Sequence, residues 1–294
     1  MQIMAGDSAT NKTLTLKDGR TLGYAEYGEP AGTPVIGFHG TPGSRLEMKS
    51  VEKAAIAAGA RVVAPERPGY GMSQPNTHST LLDYVDDMIE LADALKLDRF
   101  AVLGVSGGAP YPLACAYKFP QRITVAAIVS GTGPLSQPNS MRGMMGMNRM
   151  VLTLGRLSPR LTGLVLPWII GASLRSMEKH AQGNGSPSAG MSPEVYAIVV
   201  ADQREAIRAG GQGVTFDMKV LWQPWGFQFE DIHTQVYLWH GAADNLGPPA
   251  LARYMAGRLP FCQATFYPGE DHTGPLTKHI DEIMVTVVTA SQSA

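Results

Sequence analysis

The sequence predicts an α/β fold: a mostly parallel central sheet with helices on both faces and an inserted helical cap. Three observations carry that reading. Short, continuously apolar runs such as Pro34 to Phe38, Phe100 to Leu103 and Ile123 to Val129 are of the kind buried on both faces of a parallel sheet. They alternate with stretches of helical period, the alternation that builds parallel sheets through right-handed crossovers. The rhythm stops at about residue 135 and resumes after about 226, so the residues between read as an insertion.

Lys12 to Leu16 and Arg20 to Tyr27 alternate apolar and polar residues around Asp18-Gly19, which predicts an antiparallel hairpin with a two-residue turn. Pro34 to Phe38 is the next strand and leads into His39-Gly40-Thr41-Pro42-Gly43, after which Ser44 caps a helix to about Ala58. Arg61 to Ala64 is a strand that empties into Pro65-Glu66-Arg67-Pro68-Gly69-Tyr70-Gly71, too rich in Pro and Gly for regular structure. From about Thr80 to Leu95, Leu81, Leu82, Val85, Met88, Ile89, Ala92 and Leu95 recur with helical period. The Phe100 strand turns through Gly104-Val105-Ser106-Gly107-Gly108 into a helix to about Phe119, and Ile123 to Val129 is a further strand.

The insertion begins methionine-rich (Met141, Met144, Met145, Met147, Met150), and these side chains read equally as an adaptable pocket lining or as core packing. It continues apolar but interrupted by Gly163, Pro167 and Gly171, is loop-like from Gln182 to Gly190, and turns helical again. The α/β rhythm then returns with the strand Gln235 to Trp239, a helix to about Gly257, the strand Gln263 to Tyr267 and a last helix from Pro275. The expected organisation is a core of residues 1–134 and 227–294 and a cap of residues 135–226.

With 294 residues, 44% of them hydrophobic, the chain suits one large domain carrying an insertion. Its 24 Lys and Arg against 25 Asp and Glu are scattered, which leaves no electrostatic footprint for nucleic acid or an acidic membrane surface and points to a small-molecule substrate. A homodimer is compatible with this composition. Cys115 and Cys262 sit in neither metal-type nor redox-type spacing, and no phosphate loop, His-Glu-x-x-His or Cys-x-x-Cys occurs, so no cofactor or metal is expected. The first ten residues lack the basic start and apolar core of a secretory signal, and no run reaches the roughly 18 apolar residues of a membrane span. A soluble, cytoplasmic protein is expected.

The chemistry concentrates where strands end. A Gly-x-Ser-x-Gly between strand and helix holds Ser106 in a strained turn with its hydroxyl exposed. Asp244 and His272 each follow a later strand, and ligands of open parallel sheets bind beyond such carboxyl ends. A serine hydroxyl needs an imidazole to take its proton, and the imidazole needs a carboxylate to fix its tautomer. Ser106, His272 and Asp244 are therefore the candidate nucleophile, base and orienting acid, in chain order Ser, Asp, His. The backbone N–H groups of Gly107 and Thr41 are the candidate oxyanion donors. Asp244 also reads as a helix cap, with Asp231, Glu270 or Asp271 as competing acids. His39 and His240 read foremost as loop anchors, and Glu66-Arg67 as an ion pair holding the Pro-Gly loop.

Six segments together resemble one family: His39-Gly40-Thr41-Pro42-Gly43-Ser44-Arg45, Arg67-Pro68-Gly69-Tyr70-Gly71, Gly104 to Gly108, Trp225-Gly226-Phe227, Trp239-His240-Gly241-Ala242-Ala243-Asp244 and Gly269-Glu270-Asp271-His272. They resemble the α/β-hydrolase fold, and within it the capped bacterial branch of esterases and proline iminopeptidases. The resemblance implies a triad of Ser106, Asp244 and His272, and an oxyanion N–H from Thr41, the residue after His-Gly. Serine at the nucleophile position argues against the aspartyl-ester chemistry of haloalkane dehalogenases and epoxide hydrolases. Thr41 stands where iminopeptidase-like members commonly carry Gly, and the cap shows no obvious acidic cluster for a free amino group. The expectation is a cofactor-independent serine hydrolase acting on a small or medium, mostly apolar carboxylic ester. The same triad would serve a proline iminopeptidase, an amidase, or a lactone or C–C bond hydrolase, and a ligand receptor on this fold is the reading from another class.

Overall fold

Eight strands form a single sheet in the order β1-β2-β4-β3-β5-β6-β7-β8 in a computed structural model that describes residues 9–76, 80–182 and 192–294. The strands are β1 (Lys12–Thr15), β2 (Thr21–Gly28), β3 (Thr33–Phe38), β4 (Ala60–Pro65), β5 (Phe100–Val105), β6 (Ile123–Val129), β7 (Val236–Gly241) and β8 (Cys262–Tyr267). β1 and β2 pair antiparallel, as do β2 and β4, and every other pairing is parallel. The hairpin differs from expectation at its turn. Leu16 N–H donates to Arg20 O and Gly19 N–H to Leu16 O, so Lys17, Asp18 and Gly19 make a three-residue loop. Gly19 at φ +87° and the Asp18 carboxylate accepting from Arg20 N–H stabilise the longer loop over a two-residue turn.

Apolar runs in β5 and β6 supply both faces of the sheet at once. Phe100 and Val102 of β5 join Ile123 and Ile128 of β6 in one core; Ala101, Leu103 and Val105 join Val125 and Val129 in the other. The first core is covered by α2 (Leu81–Ala94), α3 (Pro110–Lys118) and α8 (Pro249–Ala256), the second by α1 (Glu52–Ala58) and α10 (Ile280–Gln292). α2 begins on a capping box in which Thr80 and Asp83 satisfy each other's backbone N–H, and it buries Tyr84, Val85, Met88 and Leu91. Ser44 accepts from Leu46 N–H as expected, but it caps a 3₁₀ stretch, Arg45–Val51, that precedes α1. A short α9 (Gly274–Lys278) comes before α10.

Between β6 and β7 the chain forms α4 (Gly146–Leu157), α5 (Pro159–Gln182), α6 (Pro193–Ala206) and α7 (Gln212–Trp222). α5 runs unbroken through Gly163, Pro167 and Gly171, where the sequence suggests interruption. Packing explains its continuity at Gly163, where a side chain would collide with Gly211 O and Thr215 of α7. The expected loop lies almost wholly outside the described residues, except that Gln182 ends α5. Three polar anchors, two of them fully buried, hold these helices to the rest. Asp202 of α6 accepts from Ser44 N–H and Oγ at 2.7 Å each, Glu205 of α6 pairs with Arg45 at 2.6 Å, and Asp217 of α7 pairs with Arg67 at 2.7 Å. No helix among the described residues is long and apolar enough to cross a membrane.

Candidate active site

β5 ends into a 3₁₀ turn, Ser106–Gly108, that leads to α3, and Ser106 stands at φ +52°, a left-handed conformation costly for any residue with a Cβ. Neighbouring glycines make the turn sterically feasible. A side chain on Gly104 would strike Gly108 O and Pro112, because strand and helix pass too closely for one. A side chain on Gly107 would run into the Thr41 side chain and approach Thr41 N to 3.2 Å, so these two peptide groups lie side by side next to Ser106.

His272 comes from the loop after β8 and Asp244 from the loop after β7. Ala242 N–H donates to Tyr267 O and Ala243 N–H to Glu270 O, lacing the two loops together. His272 Nε2 is 2.9 Å from Ser106 Oγ, and its Nδ1 is 2.7 Å from Asp244 Oδ2. A carboxylate only accepts, so Nδ1 carries the proton and Nε2 presents a lone pair to the serine hydroxyl. Ser130 Oγ donates to His272 O at 2.7 Å, and Thr132 N–H donates to Ser106 O at 3.0 Å, so the loop after β6 steadies both ends of the relay.

Asp244 is the carboxylate that reaches the imidazole. Its Oδ1 accepts from Leu246 N–H at 2.8 Å and Gly247 N–H at 2.9 Å. Burial works against the charged carboxylate, but hydrogen bonds from His240, His272 and Gly247 outweigh it and hold Asp244 well below the ordinary carboxylate value. The competing acids are occupied elsewhere. Asp271 accepts from Thr273 and Gly274 N–H at the start of α9, Glu270 pairs with Lys278, and Asp231 lies in the turn Phe229–Asp231 before β7.

The two other strand-end histidines differ from each other. His39 Nε2 accepts from Arg67 N–H and its Nδ1 donates to Gly40 O, and burial, with the Arg67 charge second, keeps its pKa well below the usual histidine value. His240 Nε2 donates to Gly247 O at 2.8 Å and lies 3.1 Å from Asp244 Oδ2, so it braces the acid as well as the loop. Its Nδ1 is buried with no hydrogen-bond partner among the described residues. Neither thiol has the depressed pKa of a nucleophile, since burial pushes Cys115 far up and Cys262 up to about 11.

Behind Thr41 lies a network that sequence reasoning missed. Glu66 and Arg67 do not pair with each other: Glu66 binds Arg45, and Arg67 makes a two-pronged contact with Asp217. Asp217 also accepts from Thr41 Oγ1 at 2.7 Å, Tyr70 Oη at 2.7 Å and Tyr111 Oη at 3.2 Å. Arg67 in turn donates to His39 O and Gly40 O, so one buried carboxylate of α7 fixes the whole loop after β3. Glu47 adds a second carboxylate there, accepting from Gly40 N–H at 2.5 Å.

A family model described as the alpha/beta hydrolase family matches residues 35–284. The chain belongs to that family. A non-heme chloroperoxidase from Streptomyces lividans is 33% identical over 125 residues, 42% of this hydrolase-family chain and 45% of that protein. A proline iminopeptidase from Xylella fastidiosa is 34% identical over 114 residues, 38% of this chain and 36% of that protein. The chain thus spans less than half the length of these curated relatives. A thermophilic esterase from Thermogutta terrifontis shares the fold of this alpha/beta hydrolase with a TM-score of 0.65 at 21% identity, covering 95% of this chain and 100% of that one.

Proposed function

We propose that the protein is a serine hydrolase that cleaves a small or medium, mostly apolar carboxylic ester through an acyl-enzyme. The observation that carries this reading is the relay itself: Ser106 Oγ, held at φ +52°, 2.9 Å from an imidazole whose other nitrogen is 2.7 Å from a buried carboxylate. Ser106 Oγ attacks the ester carbonyl carbon while His272 Nε2 takes its proton, and the Gly107 and Thr41 N–H groups receive the developing oxyanion. Collapse breaks the bond to the alcohol, which leaves with the proton from His272. Water, deprotonated by the same nitrogen, then attacks the acyl-enzyme and releases the acid. Asp244 keeps Nδ1 protonated throughout and stabilises the transient imidazolium.

Residues 135–226 act as the cap in this reading. Met145 N–H donates to Asn245 O, Asn148 reaches Leu246 O, and Gln203 reaches Pro42 O, so the start of α4 is tied to the loop that carries Asp244 and α6 to the loop that carries Thr41. Asp202, Glu205 and Asp217, the acids of α6 and α7 that turn towards the core, are already engaged by Ser44, Arg45 and Arg67. That favours an uncharged ester over a peptide with a free amino group. The partial similarity to a proline iminopeptidase makes amide hydrolysis the second reading.

Hydrolysis of p-nitrophenyl esters from acetyl to dodecanoyl, with Ser106→Ala alongside, tests the proposal. Activity that is lost in the variant supports it, and the preferred chain length measures the acyl pocket. Equal rates in both proteins overturn it, and faster release from a prolyl amide than from any ester moves the assignment to the peptidase.

A further inference from the structure

The outer side of α4 and α5 is unlike the rest of the surface. Eight of the eleven large apolar side chains exposed among the described residues lie between Met145 and Ile169, and Leu157, Leu164 and Trp168 are 78%, 75% and 72% exposed. Their spacing is ordered: Met147, Met150 and Leu157 share one face of α4, and Leu161, Leu164 and Trp168 one face of α5. Both helices rest on α7, with Gly155 against Met218 and Gly163 against Thr215 and Gly211, so their free sides turn outward together. Neither of the roles that the sequence suggests for the early methionines applies to Met147 and Met150, which face solvent.

Charge on this side is also segregated, which departs from the scattered distribution expected of a chain that carries −1 as a whole. Between Leu135 and Met177 there are five arginines and no acidic residue. Arg142, Arg149 and Arg156, with Lys219 of α7, line one basin of about 710 Å³ whose other walls include Ser136, Asn139 and Trp222 and no carboxylate. None of these four cations has an ion-pair partner among the described residues, and Arg156 lies over the Trp222 ring at 5.2 Å. The basin includes none of Ser106, His272, Asp244, Thr41 or Gly107.

We propose that the outer face of α4 and α5 docks on an anionic phospholipid bilayer, with the cationic basin receiving lipid phosphate. Apolar side chains with a tryptophan on one face, bordered by arginines free of acidic neighbours, are the composition of a helix that lies in a membrane interface. Long arginine side chains reach phosphate while Leu and Trp enter the acyl boundary. A second copy of this chain is the poorer occupant, because the patch would face its own positive charge. The docking stands on this surface alone and not on the ester reaction.

Co-sedimentation with vesicles of phosphatidylcholine, alone or containing about 30 mol% phosphatidylglycerol, tests it, since surface attraction depends on anionic lipid. The expected result is binding to the mixed vesicles that falls with added salt, and at least about tenfold weaker binding to phosphatidylcholine alone. Each arginine at such a surface is worth about fivefold in affinity, so Arg149→Glu with Arg156→Glu is expected to weaken binding by more than about tenfold. Leu164→Ser with Trp168→Ser weakens it independently of salt. Far-UV circular dichroism and Tm matching the parent protein are required of both variants, and the Trp168→Phe variant identifies the emission shift on binding as that of Trp168. Absence of binding at low salt, equal binding to both vesicles, binding insensitive to both variants, or a stable dimer abolished by Leu164→Ser with Trp168→Ser overturns the proposal.

Discussion

Replacing Asp217 by alanine isolates the buried junction between α7 and the loop that carries Thr41. Arg67 and Asp217 are 0% and 1% exposed, so the substitution leaves a guanidinium buried without its counter-charge, a change that costs about 3–5 kcal/mol. Thr41, Tyr70 and Tyr111 lose an acceptor in the same step, which keeps the loss towards the upper end. An unfolding entropy of roughly 2.1 cal/mol/K per residue gives about 0.6 kcal/mol/K for a chain of this length. A fall in Tm of about 5–8 °C follows, measurable by scanning calorimetry with urea titration as a check. Because Thr41 also loses its tether, kcat for ester hydrolysis is expected to fall by on the order of 10²-fold with KM little changed. The double variant Arg67→Met with Asp217→Leu removes both charges and is expected to recover part of the stability but not kcat, because the hydroxyls of Thr41, Tyr70 and Tyr111 and the carbonyls of His39 and Gly40 still lose their partners. A single-variant loss under about 1 kcal/mol, or a double variant no better than the single, refutes the reasoning.

Two further outcomes follow from particular groups. Ser106→Gly and Ser106→Ala both abolish the hydroxyl, but only alanine keeps a Cβ at φ +52°, so urea denaturation is expected to show the glycine variant more stable by about 1 kcal/mol. Glu47 has its pKa raised, by burial first and by the Asp202 charge second, so the folded protein binds its proton more tightly than the unfolded chain does. That stability is complete below the unfolded value of about 4.3 and is lost as pH rises to the raised value of about 8; Glu47→Gln is expected to flatten the decline in Tm across that interval while matching the parent near pH 4.

The fold was legible because its strongest signals are local. β5 and β6 are continuous apolar runs, Gly-x-Ser-x-Gly marks the turn between β5 and α3, and the helical period from Leu81 to Leu95 announces α2. The residues chosen for the candidate site, Ser106, Asp244, His272, Thr41 and Gly107, could be chosen because each follows a recognisable strand. Contacts between distant segments were not legible. Arg67 meets Asp217 and Arg45 meets Glu205 across more than a hundred residues, and an acid on a helix ordinarily reads as a solvated side chain. Only Asp217 left a trace, since it interrupts the apolar stripe of Val214, Val220 and Leu221 on α7. Glu66-Arg67 misled because adjacency in sequence suggests pairing, whereas Glu66 reaches Arg45 and Arg67 reaches Asp217. The exposure of Met147 and Met150 was hidden for a related reason: helical period reveals a face but not what covers it.

The anchors between the inserted helices and the core bear on how this scaffold tolerates exchange. Ser44, Arg45 and Arg67 belong to the two loops that leave β3 and β4, yet each is completed by an acid from α6 or α7. The helices between β6 and β7 are therefore not an interchangeable cassette. A chimaera that imports them from another hydrolase strands the buried Arg67 guanidinium and leaves Arg45 with Glu66 as its only carboxylate among the described residues, unless the donor segment brings carboxylates to the positions of Glu205 and Asp217 or the recipient's arginines are replaced with it. Recombination within this scaffold has to move loop and helix as one unit, although more than a hundred residues separate them.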